Sequence, residues 1–145
     1  MKRCFFIGNR DVDGGGVDAV SLAVRQAMAL GVEEFYVGGY GRFDTTAYEA
    51  VTRMKASCPS LCLFRVLAYH PATVQVVLRP GFDGSFYPLD SPPPPQYAIA
   101  RVNRRMIEYC DILITCIRHP GYSSRLMDFA RHREQKGQLF ILALP

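Results

Sequence analysis

The chain has 145 residues, of which 49% are hydrophobic and 21% are charged, a composition typical of a globular domain with one hydrophobic core. The formal net charge of +4 is compatible with an anionic ligand but is too small and too dispersed to indicate nucleic acid as a partner. No apolar run reaches the length of a membrane span or of a signal-peptide core, so we expect a cytoplasmic protein without a membrane partner.

The chain contains five cysteines, an odd number, and most of them lie inside apolar runs without metal-ligand spacing to any histidine. This pattern predicts free buried thiols and indicates no metal site. The cysteines are Cys4, Cys58, Cys62, Cys110 and Cys116.

The first apolar run, residues 3–7, predicts a buried strand, and apolar residues at helical spacing over residues 17–28 predict the first helix. The polar, glycine-rich loop between them begins with Gly8, Asn9 and Arg10, just beyond the carboxyl end of the strand. An arginine at this place can bind a phosphate through two parallel hydrogen bonds. The alternative, a solvated loop arginine, is equally compatible with the sequence.

A second strand, loop and helix follow within residues 35–49, the stretch with the clearest functional pattern. A short apolar run ends in glycines and helical spacing resumes at Ala47, so the loop leads into the amino terminus of a helix. Glycine lets a ligand approach the backbone, and the first N–H groups of a helix favour phosphate or carboxylate. We therefore expect an anion site here; the alternative is a turn that needs glycine only for its φ angles.

A third apolar run, residues 61–67, predicts another strand, after which the alternation of strands and helices stops. Residues 69–97 contain proline and glycine turns, so they predict an insertion with at most an accessory hairpin between residues 74–78 and 86–87. Long loops in compact domains often cover a binding site, and we expect residues 72–95 to act as a lid. A partly disordered insertion is the alternative.

The last third of the chain predicts a helix, a strand, a second polar loop, another helix and a final strand. On the first of these helices, Arg101 and Arg104 are one turn apart and form either an anion clamp or an ordinary solvated face. The strand covers residues 111–117, and the polar loop after it offers Ser123 or Ser124 as the N-cap of the next helix.

These elements together predict an α/β fold: a single Rossmann-like three-layer domain over residues 1–145, with a mostly parallel sheet of about five strands and an insertion at residues 69–97. We expect the strand order 3-2-1-4-5. The loops after strands one, two and four then leave one edge of the sheet where the strand order reverses, which is where open α/β sheets bind ligands.

Five segments, in this order and spacing, resemble the YpsA-like branch of the SLOG superfamily of Rossmann-like nucleotide-binding proteins, over nearly the whole chain. The segments are residues 4–10 (CFFIGNR), 37–44 (VGGYGRFD), 69–71 (YHP), 100–106 (ARVNRRM) and 110–114 (CDILI). The superfamily also includes the DNA-processing protein DprA and the LOG-type phosphoribohydrolases, which activate cytokinins. The resemblance implies a nucleotide-derived ligand and does not imply a particular reaction.

The resemblance also implies that Gly38, Gly39, Phe43 and Asp44 form the ligand loop, and it adds Arg10 and three polar residues of the third helix as candidates. The loops at the sheet edge supply the remaining candidates. The candidate ligand-binding residues are Gly8, Asn9, Arg10, Gly38, Gly39, Tyr40, Gly41, Phe43, Asp44, Arg101, Asn103, Arg104, Thr115, Gly121, Ser123 and Ser124.

The LOG-type hydrolases imply an alternative function, cleavage of a nucleotide N-glycosidic bond. They carry a proline before the glycine pair, a threonine soon after it and a catalytic glutamate on the following helix. Here Val37 replaces the proline and the loop is longer before Thr45, so Asp44 and Glu49 are both candidate catalytic carboxylates. Their non-catalytic alternatives are an N-cap role for Asp44 and an exposed helix position for Glu49.

We therefore predict a protein that binds a nucleotide or nucleotide-derived anion, with sensing of that ligand as its role. Nucleotide N-glycosidase activity is the first alternative, and DprA-like nucleic-acid binding is the second, which the modest charge disfavours. No other cofactor is indicated, and the sequence leaves the formation of a homo-oligomer open.

Overall fold

A computed structural model describes residues 2–145 and has one six-stranded parallel sheet with four α-helices. The strands are β1 (Lys2–Gly8), β2 (Val32–Val37), β3 (Cys62–Val66), β4 (Gly84–Phe86), β5 (Ile112–Cys116) and β6 (Phe140–Ala143). The helices are α1 (Val17–Ala29), α2 (Arg42–Ser57), α3 (Ala98–Tyr109) and α4 (Tyr122–Gln135), with a short 3-10 helix at Pro95–Tyr97. None of the helices within residues 2–145 is long and apolar enough to cross a membrane.

The strand order is β4-β3-β2-β1-β5-β6, so the chain runs outward from β1 to one edge and then returns to the other side of β1. The predicted Rossmann-like α/β fold is confirmed. The predicted order 3-2-1-4-5 corresponds to β3-β2-β1-β5-β6 in the structure. The sheet differs from the prediction in having this sixth strand and in being parallel throughout.

The additional strand replaces the predicted accessory hairpin. Residues 84–86 pair in parallel with β3, and residues 74–78 form no strand, so the hairpin prediction is wrong. An isolated two-stranded hairpin is marginally stable in water, whereas the edge of an existing sheet offers a short strand hydrogen-bond partners and a hydrophobic face. The insertion is therefore partly built into the sheet.

Helices cover both faces of the sheet, as the three-layer prediction required. Successive residues of β1 enter opposite cores: Cys4 and Phe6 pack beneath α1 and α2, whereas Phe5 and Ile7 pack beneath α3 and α4. This alternation follows from the twofold side-chain period of a strand. A strand buried on both faces needs apolar residues at every position, which explains the continuous apolar run in the sequence.

Glycine is the N-cap of three of the four α-helices, beginning with Gly16 at α1. Gly41 is the N-cap of α2 and Gly121 is the N-cap of α4, so the prediction that Ser123 or Ser124 caps α4 is wrong. The helix begins earlier than predicted, which places Ser124 at its third position. From there its Oγ accepts a hydrogen bond from the Gly121 N–H at 2.8 Å, as the third residue of a capping box does.

All five cysteines are free thiols, as predicted. Cys4, Cys110 and Cys116 are buried, whereas Cys58 and Cys62 are only partly buried. Burial raises the pKa of the Cys4 and Cys110 thiols. These two thiols therefore stay protonated at neutral pH and serve as small apolar core residues.

The second half of the insertion, residues 79–86, is attached to α2 and β3. The Phe82 ring stacks on the Tyr48 ring with centroids 5.0 Å apart. Lys55 Nζ lies 2.6 Å from Asp83 Oδ2, and the same carboxylate accepts a hydrogen bond from a backbone N–H of the sheet at 2.8 Å. Residues 71–78, by contrast, form no helix or strand and are mostly exposed.

We expect limited proteolysis by a non-specific protease to cleave first within residues 71–78, because exposed backbone outside regular structure opens at the lowest free energy. Residues 82–86 should resist cleavage because they are paired in the sheet and packed on α2. Mass spectrometry of the earliest fragments locates the cut. First cleavage within residues 82–86 would contradict this attachment of the insertion.

Candidate functional site

A cavity of about 280 Å³ lies at the carboxyl ends of the central strands, beside the point where the strand order reverses between β1 and β5. Its walls come from β1 and the loop after it, the loop after β2 with the first turn of α2, the end of β3, α3, and the first two turns of α4. The lining residues are Phe5, Phe6, Ile7, Gly8, Asn9, Arg10, Gly38, Tyr40, Gly41, Phe43, Asp44, Val66, Ala68, Ile99, Val102, Asn103, Tyr122, Ser123 and Leu126.

Most of the candidate ligand-binding residues line this cavity, and the loops after β1, β2 and β5 meet there. The candidates in its wall are Gly8, Asn9, Arg10, Gly38, Tyr40, Gly41, Phe43, Asp44, Asn103 and Ser123. The candidates outside the wall are Gly39, Arg101, Arg104, Thr115, Gly121 and Ser124. Of the two candidate carboxylates, Asp44 is in the wall, whereas Glu49 is exposed elsewhere on α2.

The two arginines of α3 do not face the cavity. Arg101 and Arg104 line a separate, open groove that also includes Tyr97. The Arg104 guanidinium lies 4.2 Å from the centroid of the Phe129 ring, where it makes a cation–π contact. The helix turns Asn103 toward the cavity instead, so the anion clamp suggested by the one-turn spacing does not form here.

The glycines after β2 are required by close contacts within the protein. None of Gly38, Gly39 and Gly41 has a positive φ, so the alternative of a turn that needs glycine for its φ angles is wrong. A Cβ on Gly39 would overlap the Arg65 guanidinium, and one on Gly41 would stand 2.9 Å from Arg10 Cα. The missing side chains thus let two arginine-bearing segments pack directly on the loop.

Asp44 supplies the only carboxylate among the lining residues. It is the third residue of α2, and its Oδ2 accepts a hydrogen bond from the Tyr40 N–H at 3.0 Å, so it is not the N-cap. Burial raises the pKa of the Asp44 carboxyl, while the Tyr40 hydrogen bond and the positive charges of Arg65 and Arg10 act to lower it. The cavity therefore holds a partly desolvated acid that can accept hydrogen bonds from hydroxyl groups.

Residues in the first turns of two helices line the cavity and have unpaired backbone N–H groups. The N–H groups of Phe43 and Asp44 in α2, and of Tyr122 and Ser123 in α4, have no acceptor within residues 2–145. The amino terminus of a helix carries a partial positive charge from such groups. Two helix termini at one cavity make it favourable for an anion.

Arg10 adds a full positive charge beside these helix termini. Its Nε donates a hydrogen bond to the Tyr40 carbonyl at 2.8 Å, which fixes the side chain across the glycine loop. The terminal nitrogens of the guanidinium have no partner within residues 2–145. They can therefore donate to an anionic group of a ligand.

Asn9, by contrast, has a structural role. Its Oδ1 accepts hydrogen bonds from the N–H groups of Arg118 at 2.6 Å and of His119 at 3.3 Å, and its Nδ2 donates to the His119 carbonyl. Ser123 Oγ similarly donates to the Gly8 carbonyl at 3.0 Å. These bonds hold the loop after β5 against the end of β1, so both side chains support the cavity wall.

Two further polar residues near the cavity are absent from the sequence-based candidates. Tyr122 lines the wall, and its hydroxyl accepts a hydrogen bond from Asn103 Nδ2 at 3.4 Å. Arg65 lies against Gly39 at the end of β3. The sequence could have indicated Arg65, because it is a charged residue inside an otherwise apolar strand. Charged side chains are rarely buried without a partner.

A histidine–aspartate pair connects two of the loops that surround the cavity. His119 Nε2 and Asp11 Oδ1 are 2.7 Å apart, and both side chains are exposed. The hydrogen bond that His119 donates to Asp11 raises the pKa of His119 above its ordinary value of 6.5, and the same bond lowers the pKa of Asp11 below 3.8. The ion pair therefore contributes fully to the stability of the folded protein between pH 3.8 and pH 6.5, the ordinary pKa values of the two groups.

We expect this contribution to be lost as the pH rises through the raised pKa of His119, because the neutral imidazole no longer forms an ion pair. It is also lost below pH 3.8, as the pH falls through the lowered pKa of Asp11. An NMR titration of the His119 ring should give a pKa above 6.5 in the wild type and a lower value in Asp11→Asn. Equal values in the two proteins would contradict the pairing.

No protein-family model matches the chain, and no curated protein matches it.

Proposed function

We propose that the cavity binds a nucleotide or nucleotide-derived anion and that the protein senses this ligand. One observation carries the proposal: the unpaired first-turn N–H groups of α2 and α4 flank a cavity that also contains Arg10 and an apolar wall. The resemblance to the YpsA-like branch of the SLOG superfamily implies the same class of ligand. The site favours negative charge at one part and an uncharged ring at another.

The lining residues divide into parts that match a nucleotide. The aliphatic side chains of Val66, Ile99, Val102 and Leu126 offer a dry surface to a base. The Asp44 carboxylate accepts hydrogen bonds from ribose hydroxyls, and the helix termini with Arg10 receive the phosphate. Ligand sites commonly measure about 300 to 1000 Å³, so a cavity of about 280 Å³ favours a mononucleotide over a dinucleotide.

The test is a ligand panel of nucleosides, nucleoside monophosphates and dinucleotides, measured by thermal shift and by chromatography of any released base. We expect nucleoside monophosphates to raise the melting temperature in a saturable way and more than the matching nucleosides do, because only the former carry the anion. Arg131 is exposed and lies outside the cavity wall, so Arg131→Ala is the control for the loss of one positive charge in Arg10→Ala. A panel without any saturable shift would refute the proposal.

Cleavage of the N-glycosidic bond is a second candidate function, and the desolvated carboxyl group of Asp44 in the cavity wall favours it. A carboxylate beside the base–sugar bond can stabilise an oxocarbenium-like transition state or orient a water. Glu49 is not available for this role because it lies outside the cavity. The two functions differ in whether free base is released, which the second readout of the panel measures.

A further inference from the structure

A second, smaller cavity of about 180 Å³ adjoins the first one. Tyr40 and Ala68 line both cavities, so they form the partition between them. The other residues that line the second cavity are Arg65, Leu67, Tyr69 and residues 74–77 of the insertion. The insertion thus contributes to a site next to the nucleotide cavity.

Arg65 is the only positively charged side chain among the residues that line this second cavity, and it forms no ion pair with any residue from 2 to 145. Its side chain makes no hydrogen bond within residues 2–145, and its Nε is buried without a partner. A buried donor without an acceptor is costly and rare in native proteins. The terminal nitrogens of the guanidinium also lack a partner but are not fully buried, so they can donate to an acceptor that binds from outside the chain.

The surrounding sequence holds the guanidinium in this position. Arg65 pairs in register with Val37, immediately before the glycine loop, and packs against the backbone of Gly39 where a Cβ would overlap it. The nearby Asp44 carboxylate forms no ion pair with it and instead accepts the Tyr40 N–H. The terminal nitrogens of Arg65 thus remain free for a ligand at the edge of the second cavity.

We propose that Arg65 binds a second phosphate group of the ligand in this adjoining cavity. The inference rests on the proposed function and extends it: the ligand is a nucleotide derivative with at least two phosphates, which extends past Tyr40 from one cavity into the other. The guanidinium offers two parallel donors, the geometry that matches a phosphate. Residues 74–77 close the other side of the same subsite.

The first test uses inorganic phosphate and isotope-labelled protein, so it does not depend on binding of a base. Phosphate should shift the backbone NMR signals of Gly39 and Val76 and the side-chain signal of Arg65 with saturation. Arg65→Met should abolish these shifts and Arg65→Lys should weaken them. Arg131→Ala, which removes an exposed charge outside both cavities, should leave them in place. Shifts that persist in Arg65→Met, or that occur only around the first turn of α4, would overturn the proposal. Shifts that never saturate would also overturn it, because they would indicate an adventitious ion only.

The second test compares adenosine monophosphate with adenosine diphosphate by calorimetry. Arg65→Met should lower the affinity for the diphosphate about tenfold or more, as expected for loss of a charged hydrogen-bond partner, and that for the monophosphate less than about twofold. Its melting temperature should stay within about 4 °C of the wild type, since methionine fills the same space. An equal loss for both nucleotides would overturn the Arg65 subsite. If neither nucleotide binds the wild type, the proposed function is wrong. The phosphate titration then still shows whether Arg65 binds phosphate.

Discussion

Replacing Phe43 with alanine should lower the free energy of unfolding by about 3 to 5 kcal/mol, the range for truncation of a buried aromatic side chain. Phe43 is only 1% exposed, and its ring meets the Phe6 ring edge-on with centroids 6.2 Å apart. It therefore joins the start of α2 to β1 in the wall of the cavity. Equilibrium denaturation with urea measures the change, and a loss below about 1 kcal/mol would show that the position is not packed.

Gly8 tests the same contact from the opposite side. A Cβ on Gly8 would stand 2.6 Å from Phe43 Cδ2 and 3.0 Å from the Cys116 carbonyl oxygen, so Gly8→Ala should cost about 1 to 3 kcal/mol. In a Phe43→Ala background the larger overlap is gone, and the same substitution should cost clearly less. Gly84→Ala is the control, since its Cβ would meet only Phe64, at 3.7 Å. Strictly additive losses for Gly8 and Phe43 would contradict the predicted overlap.

The fold could be predicted because its strongest signals are local. The buried strand β1 needs apolar residues on both faces, and α3 shows its apolar stripe, with Val102 and Met106 both buried. Strand β4 escaped prediction because it has only three residues and pairs with β3 across the whole first half of the insertion. Short segments carry too little periodicity to indicate a partner that distant in sequence.

The candidate site was predictable to the extent that loops at the ends of parallel strands must lie together. The rotation of α3 about its axis could not be predicted. The apolar stripe of α3 packs on the sheet, and this turns Arg101 away from the cavity and Asn103 toward it. The contacts that explain Gly39 and Arg65 also depend on the register of β2 with β3, which periodicity does not determine. Those contacts support the proposed anion subsite at Arg65, which the sequence did not indicate.

The second large effect concerns ligand affinity. Arg10→Ala should weaken binding of a nucleoside monophosphate by about 1.5 to 3 kcal/mol, equivalent to about tenfold to over a hundredfold in affinity. The free energy of unfolding should hardly change, since Arg10 is exposed and its side chain makes one hydrogen bond, to the Tyr40 carbonyl. Calorimetry gives the affinity and urea denaturation the stability. Unchanged affinity in this variant would remove Arg10 from the site.

Asp44→Asn separates the role of the acid from that of the arginine. The amide can still accept the Tyr40 N–H, so α2 should remain intact and affinity should change only modestly. Because burial raises the pKa of Asp44 above 3.8, the folded wild type binds more protons than the unfolded chain above that pH. The stability of the wild type therefore falls as the pH rises from 3.8 through the raised pKa of Asp44. The asparagine variant lacks this titration and should be at least as stable as the wild type at pH 7.

Base release decides between a binding protein and an N-glycosidase. A catalytic carboxylate acts mainly in the transition state, so Asp44→Asn would abolish release of base while leaving ground-state binding largely unchanged. For a binding protein, wild type incubated with saturating nucleoside monophosphate should release no base at all. Glu49→Gln is the matched control, because this carboxylate is exposed on the same helix outside the cavity. Release that persists in Glu49→Gln but disappears in Asp44→Asn would make hydrolysis the function and Asp44 its catalytic residue.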